Sequence, residues 1–71
     1  MKYLNYKIDS TWVMNVESIK IYVVLGQKPS DYNWERLKYF PTLDKAKEYL
    51  RSLNLSPSQR VYGPDGYGIT L

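Results

Sequence analysis

One helix has to serve the whole chain. Only the stretch from Thr42 to Leu53 repeats with a helical period, and most other patterned segments alternate with period two. Leu43, Ala46, Tyr49, Leu50 and Leu53 fall within one arc of about 120° at 100° per residue, and Asp44, Lys45, Lys47, Glu48 and Arg51 lie opposite. Thr42 is placed to cap the first turn through its hydroxyl. Asp44 near the start and Arg51 near the end suit the helix dipole. Asn54 suits a left-handed position after the last turn, with Leu55 folding back behind it. A lone helix covers one face of a sheet and leaves the other bare.

The remaining pattern predicts short strands. Leu4, Tyr6 and Ile8 alternate with Tyr3, Asn5 and Lys7, and after a turn at Asp9-Ser10, Trp12, Met14 and Val16 alternate with Val13 and Asn15. Glu17-Ser18 is a break. Ile19 to Leu25 is the strongest strand, with Ile19, Ile21, Val23 and Leu25 on one face and Lys20, Tyr22 and Val24 on the other. Gly26 to Asn33 holds Gly, Pro, Ser, Asp and Asn and reads as a loop. Trp34 to Phe40 returns as a strand that Pro41 stops. Its Leu37 and Tyr39 share one face, and Trp34, Arg36, Lys38 and Phe40 the other.

Beyond the helix, Ser56 to Gln59 reads as a turn or a single helical turn. Arg60–Tyr62 and Tyr67–Leu71 read as a hairpin about Gly63-Pro64-Asp65-Gly66, with Pro and Gly where such a turn needs them. The expected fold is therefore α+β, in the order β-β-β-β-α-β-β. About five to six short antiparallel strands carry the helix 43–53 on one face. No repeat or linker divides residues 1–71, which read as one domain.

Composition narrows the chemistry. The chain has no Cys and no His, which removes disulfides, thiolate chemistry, the commonest general base and the commonest metal ligand. Its seven carboxylates are scattered over turns, strand edges and the outer helix face. A non-enzymatic protein with no cofactor and no metal is the expectation. Eight Tyr, two Trp and one Phe are too many rings for a core of 71 residues to hide, so some must stand on the surface. No apolar run reaches membrane-spanning length, and no apolar segment follows Met1-Lys2-Tyr3-Leu4-Asn5, so a cytoplasmic location is expected.

If Ile19, Ile21, Val23 and Leu25 pack on the helix, the bare face receives Lys20, Tyr22, Trp34, Arg36 and Lys38. Aromatic residues and Arg are enriched in protein interfaces, so contact with a protein, a second copy included, is the leading function. Basic groups interleaved with rings also suit nucleic acid, with cations on phosphates and rings on bases, and this is the alternative. The net charge of +3 is compatible with both.

Tyr22-Val23-Val24, Gly26, Lys28-Pro29, Tyr32, Trp34, Phe40-x-Thr42, Ala46 and Tyr49-Leu50 together resemble the hybrid-binding domain found at the start of some ribonucleases H. That resemblance implies a three-stranded sheet that binds RNA–DNA hybrids. The family carries a helix between its Trp and its Phe strand, for which Glu35 to Tyr39 leaves no room. The strand–strand–Phe-x-Thr-x-x-x-Ala-helix ending also resembles the arm-binding domains of tyrosine integrases, which implies a sheet laid into the major groove. In overall type, the short chain rich in Tyr, Lys and Asn resembles small phage accessory proteins, which implies an inhibitor or adaptor.

Overall fold

The computed structural model describes residues 2–14 and 18–71. Its elements in chain order are β1 (Asn5–Met14), β2 (Ser18–Gln27), β3 (Glu35–Phe40), α1 (Leu43–Ser52) and β4 (Arg60–Tyr62). The fold is α+β, with one helix on a four-stranded mixed sheet in the order β3-β2-β1-β4. β1–β2 and β2–β3 are antiparallel, and β1–β4 is parallel.

Four strands stand where five or six were expected, for two local reasons. Asp9-Ser10 does not turn. Neither residue is the glycine that a two-residue turn favours, and both stay in the ladder, Asp9 opposite Val23 and Ser10 opposite Tyr22. β1 therefore runs ten residues without interruption. The expected strand positions Asn15 and Val16 and the break at Glu17 lie outside the described residues; Ser18 opens β2. At the other end, Tyr67–Leu71 forms only a bridge, Tyr62 opposite Gly68. The turn itself forms as expected. The Gly66 amide donates to the Gly63 carbonyl at 2.9 Å and Gly66 takes φ +87°. Pairing fades at Gly68, which has no side chain to pack.

The helix starts and stops as its sequence directs. Thr42 Oγ1 accepts from the Lys45 amide at 3.2 Å. Leu53 caps the end, and Asn54 follows at φ +51°. Ala46 and Leu50 are fully buried against Ile8 and Val24, with Tyr3 and Tyr6 completing the cluster. Burying a side chain such as Leu50 or Ile8 is worth about 1.5–3 kcal/mol. Leu55, Val61, Ile69 and Leu71 close the cluster from the C-terminal segment.

The face of β2 turned to the helix is the reverse of the expected one. Directly opposed residues share a face, and Tyr6 opposes Gly26 while Ile8 opposes Val24. In β1 the other set contains Lys7 and Asp9, two charges that cannot be buried under a helix without partners. Lys7 opposes Leu25 and Asp9 opposes Val23. The register therefore carries Ile19, Ile21, Val23 and Leu25 to the face away from the helix, where Ile19 is exposed but Val23 and Leu25 are buried, and it brings Tyr22 and Val24 to the helix. Both sets of β2 hold apolar residues, and the set with Lys20 is the one that turns to the helix, so periodicity in that strand alone pointed the wrong way.

A β-bulge resets β3. Lys38 opposes Val24 but Arg36 opposes Leu25, leaving Leu37 as the extra residue. Leu37 turns inward beside Gly26, and Phe40 packs on Tyr49 with ring centres 5.3 Å apart. Leu37 and Tyr39, expected on one face, are thereby separated.

Candidate functional site

The five residues expected on one face divide between two. Lys20 lies on the helix side of β2, opposite Trp12, with its Nζ 5.9 Å from the Tyr22 ring centre. Tyr22 is half-buried against the core. Lys38 also lies on the helix side, where its Nζ sits 5.7 Å from the ring centres of both Phe40 and Tyr49. Trp34 and Arg36 stand on the bare face as expected. Trp34 is beside Lys7, whose Nζ is 4.6 Å from its ring centre, and Arg36 is opposite Leu25.

The bare face thus has a basic-aromatic end with different members. Tyr62, Lys7, Leu25 and Arg36 form one row across β4, β1, β2 and β3, and Arg60 stands next to Tyr62's row, opposite Asn5. Lys7, Arg36 and Arg60 face one acid, Asp9, which Lys7 meets at 3.5 Å. Among the described residues, neither Arg36 nor Arg60 has an ion-pair partner. Lys7 was visible in the sequence as the polar alternate of Tyr6 and Ile8. Arg60 and Tyr62 were not, because they join this face only through the parallel β1–β4 pairing.

A second surface went unforeseen. β3 pairs with β2 only from Tyr22 onward, and β4 pairs with β1 only up to Lys7. Beyond those points β1 and β2 continue as a two-stranded arm, made of Ser10–Met14 and Ser18–Ile21 among the described residues. The molecule measures 41 × 23 × 19 Å with a radius of gyration of 12.4 Å, against about 11 Å for a compact chain of this length. Its 5134 Å² of surface exceeds the roughly 4,600 Å² expected. Trp12, Val13 and Ile19 on the arm are 60%, 42% and 55% exposed. Trp12 lies on the helix side, opposite Lys20, and Val13 and Ile19 oppose each other on the bare side. Lys20 is the arm's one charge among its described residues.

At the opposite end, a hydrogen-bonded group ties the N-terminal segment to β3. The Tyr3 hydroxyl donates to Glu35 Oε2 at 2.6 Å, and Lys28 Nζ lies 3.2 Å from Glu35 Oε1. The Tyr3 hydroxyl is pushed up to about 12, first by its bond to the carboxylate and then by burial. The same bond from Tyr3, followed by Lys28, holds Glu35 below its ordinary range. Burial raises Tyr6 as well. This group fastens the fold and presents no open position for a ligand.

Among the described residues, no pocket opens and no three acidic side chains gather as a metal-ligand set. None of their helices is long and apolar enough to cross a membrane. No protein-family model, curated protein or solved structure matches the chain.

Proposed function

We propose that this chain is a small binding protein without enzymatic chemistry, an inhibitor or adaptor, that contacts another protein through the β1–β2 arm. One observation carries the reading: Trp12, Val13 and Ile19 stand exposed on a ribbon that neither the helix nor a third strand covers. Trp12 alone leaves about 150 Å² uncovered, and burying it in a partner is worth about 3–4 kcal/mol. Large exposed aromatic residues on a projecting element are the usual anchors of protein interfaces. The test pairs immobilised wild-type protein with Trp12→Ser/Ile19→Ser in lysate of the producing or host cell. The expected result is a protein retained by the wild type and lost by the variant, with both melting at the same temperature. Identical retention by the two, or a wild type that neither retains a lysate protein nor associates with itself, overturns the reading.

A second reading rests on the basic-aromatic end of the bare face. Lys7, Arg36 and Arg60 would meet phosphates, and Trp34 and Tyr62 would stack on bases of a single strand. Three phosphate contacts give a salt slope of about −2, or about 20-fold weaker binding at 200 mM than at 50 mM salt. Titration of a fluorescent thymidine dodecamer at both concentrations tests it. Absence of binding at the lower salt removes this reading and leaves the arm untouched.

A further inference from the structure

We propose that the arm's partner is a second copy of this chain, joined through the outer edge of β1 as an antiparallel strand pair about a two-fold axis at Thr11. This inference rests on the arm being a protein-contact surface, and it names the occupant.

The sheet has four stretches of edge, and only one is both long and undefended; β2 is free only from Ser18 to Ile21, where β3 stops, and that short stretch carries Lys20. β3 is broken by its bulge at Leu37, carries Arg36 and Lys38, and ends at Pro41. These devices blunt an edge against pairing. β4 is short and is covered by the return of the chain, Tyr62 opposite Gly68. β1 is free from Ile8, where β4 ends, to Met14. That edge has no Pro, no bulge against β2 and one charge, Asp9. Its parity is set at the base of the strand, where the Arg60 amide donates to the Leu4 carbonyl on this side at 3.2 Å. By strand alternation, Ser10, Trp12 and Met14 present their amides and carbonyls outward, a row of unused donors and acceptors, and Ile8 adds its carbonyl, its amide being turned to β4 by the Lys7–Tyr62 pairing.

The bounds of the free edge select the register. Residue 8 is stopped by β4 and residue 14 ends the strand, so full pairing of the edge with its own copy centres on Thr11. Ser10 then opposes the partner's Trp12 in a hydrogen-bonded pair, and Thr11 opposes the partner's Thr11 in a non-hydrogen-bonded one. No like charges face each other. The small Ser10 leaves room for the indole, and the two Trp12 rings become diagonal neighbours within aromatic reach. Thr–Thr is itself a favourable cross-strand pair. Two-stranded ribbons are marginal in water, whereas four strands sustain one another. Association supplies the two that each arm lacks.

A seven-residue strand pair is small. At the usual 20–30 residues per 800 Å² a side, it covers about 200–300 Å² of each copy. The dimer is therefore weak and concentration-dependent.

The absence of native cysteine makes the test clean. Across a non-hydrogen-bonded pair, Cα atoms about 4.5 Å apart satisfy disulfide geometry. Thr11→Cys is expected to form a disulfide dimer under mild oxidation at least ten times faster than Val13→Cys, whose symmetry mate lies four residues out of register. Sedimentation equilibrium of the wild type up to about 1 mM should show reversible dimer. Thr11→Lys, which sets two ammonium groups face to face, should be monomeric with an unchanged melting temperature. Equal cross-linking of the two cysteine variants, or a strictly monomeric wild type at 1 mM, overturns the inference. If a different protein is still captured in an arm-dependent way, the arm reading stands while the second copy falls.

Discussion

Replacing Gly26 by Ala probes the tightest contact in the core. A methyl at this position would lie 2.7 Å from Tyr3 Cδ1, 2.8 Å from Tyr3 Cγ and 3.1 Å from Leu37 Cδ1. Carbon atoms prefer about 3.5–4.0 Å, so the Tyr3 ring would have to retreat by about 1 Å. It has little freedom to do so. Its hydroxyl is held by Glu35, its carbonyl accepts from Gln59 Nε2 at 2.9 Å, and the next residue's amide donates to the Gln27 carbonyl at 2.8 Å. Overpacking of this kind costs about 1–3 kcal/mol, partly offset by about 0.5–1 kcal/mol from a stiffer unfolded chain. The net loss of about 1–2 kcal/mol lowers the melting temperature by about 5–15 °C in a domain of this size. Gly68→Ala is the matched control, because a methyl there meets only the Val61 carbonyl at 3.8 Å. Thermal denaturation followed by circular dichroism reads both. A Gly26→Ala protein that melts with or above the wild type would refute the packing of Tyr3 over β2. The penalty should also shrink in a Tyr3→Leu background, since contacting residues are not additive.

Three further outcomes are expected. Leu50→Ala empties a fully buried position at a cost of about 2.5–5 kcal/mol, most of the roughly 4–10 kcal/mol available to 71 residues; Leu50→Met should lose under about 1.5 kcal/mol in urea denaturation. Thr42→Ala removes the cap on α1 and should cost about 1 kcal/mol, whereas Thr42→Ser should be nearly neutral in the same assay. The third concerns pH. Tyr3 is raised above its ordinary 10.0 to about 12 by its bond to Glu35 and by burial, so its contribution is whole below pH 10 and is lost as pH rises toward 12. Glu35 is held below its ordinary 4.5, first by Tyr3 and then by Lys28, so its contribution is whole above that value and fades as pH falls further. The melting-temperature gap between wild type and Tyr3→Phe should be flat from pH 5 to 9 and close on both sides; a gap constant to pH 12 contradicts the assignment.

Local chemistry made the helix readable except at Leu53, which was expected in its buried arc but caps the end and is 38% exposed. Thr42, Asp44, Arg51 and Asn54 act within one turn of where they stand, and the apolar arc of Ala46 and Leu50 has one side to bury. The turn at Gly63–Gly66 was readable for the same reason, because positive φ at Gly66 is a single-residue requirement. The same holds for the α+β class, although the face away from the helix is not wholly bare, since Val23 and Leu25 on it are buried. What the residues could not disclose was non-local. β2 holds apolar residues on both faces, and its orientation is set by Lys7 and Asp9 on a different strand acting through the register. The bulge at Leu37 moved Tyr39 and Lys38 to faces that strict alternation denied them, which separated Lys38 from Arg36. The parallel β1–β4 pairing, a contact across more than fifty residues, brought Arg60 and Tyr62 beside Lys7. The arm exists because β3 and β4 stop short of the ends of β1 and β2, and strand length relative to a neighbour is written in neither strand. Capping, turn and amphipathic preferences are energies of a few adjacent residues, so the sequence determined them; face, register and exposure are energies of pairs distant in the chain, and only the tertiary structure decided them.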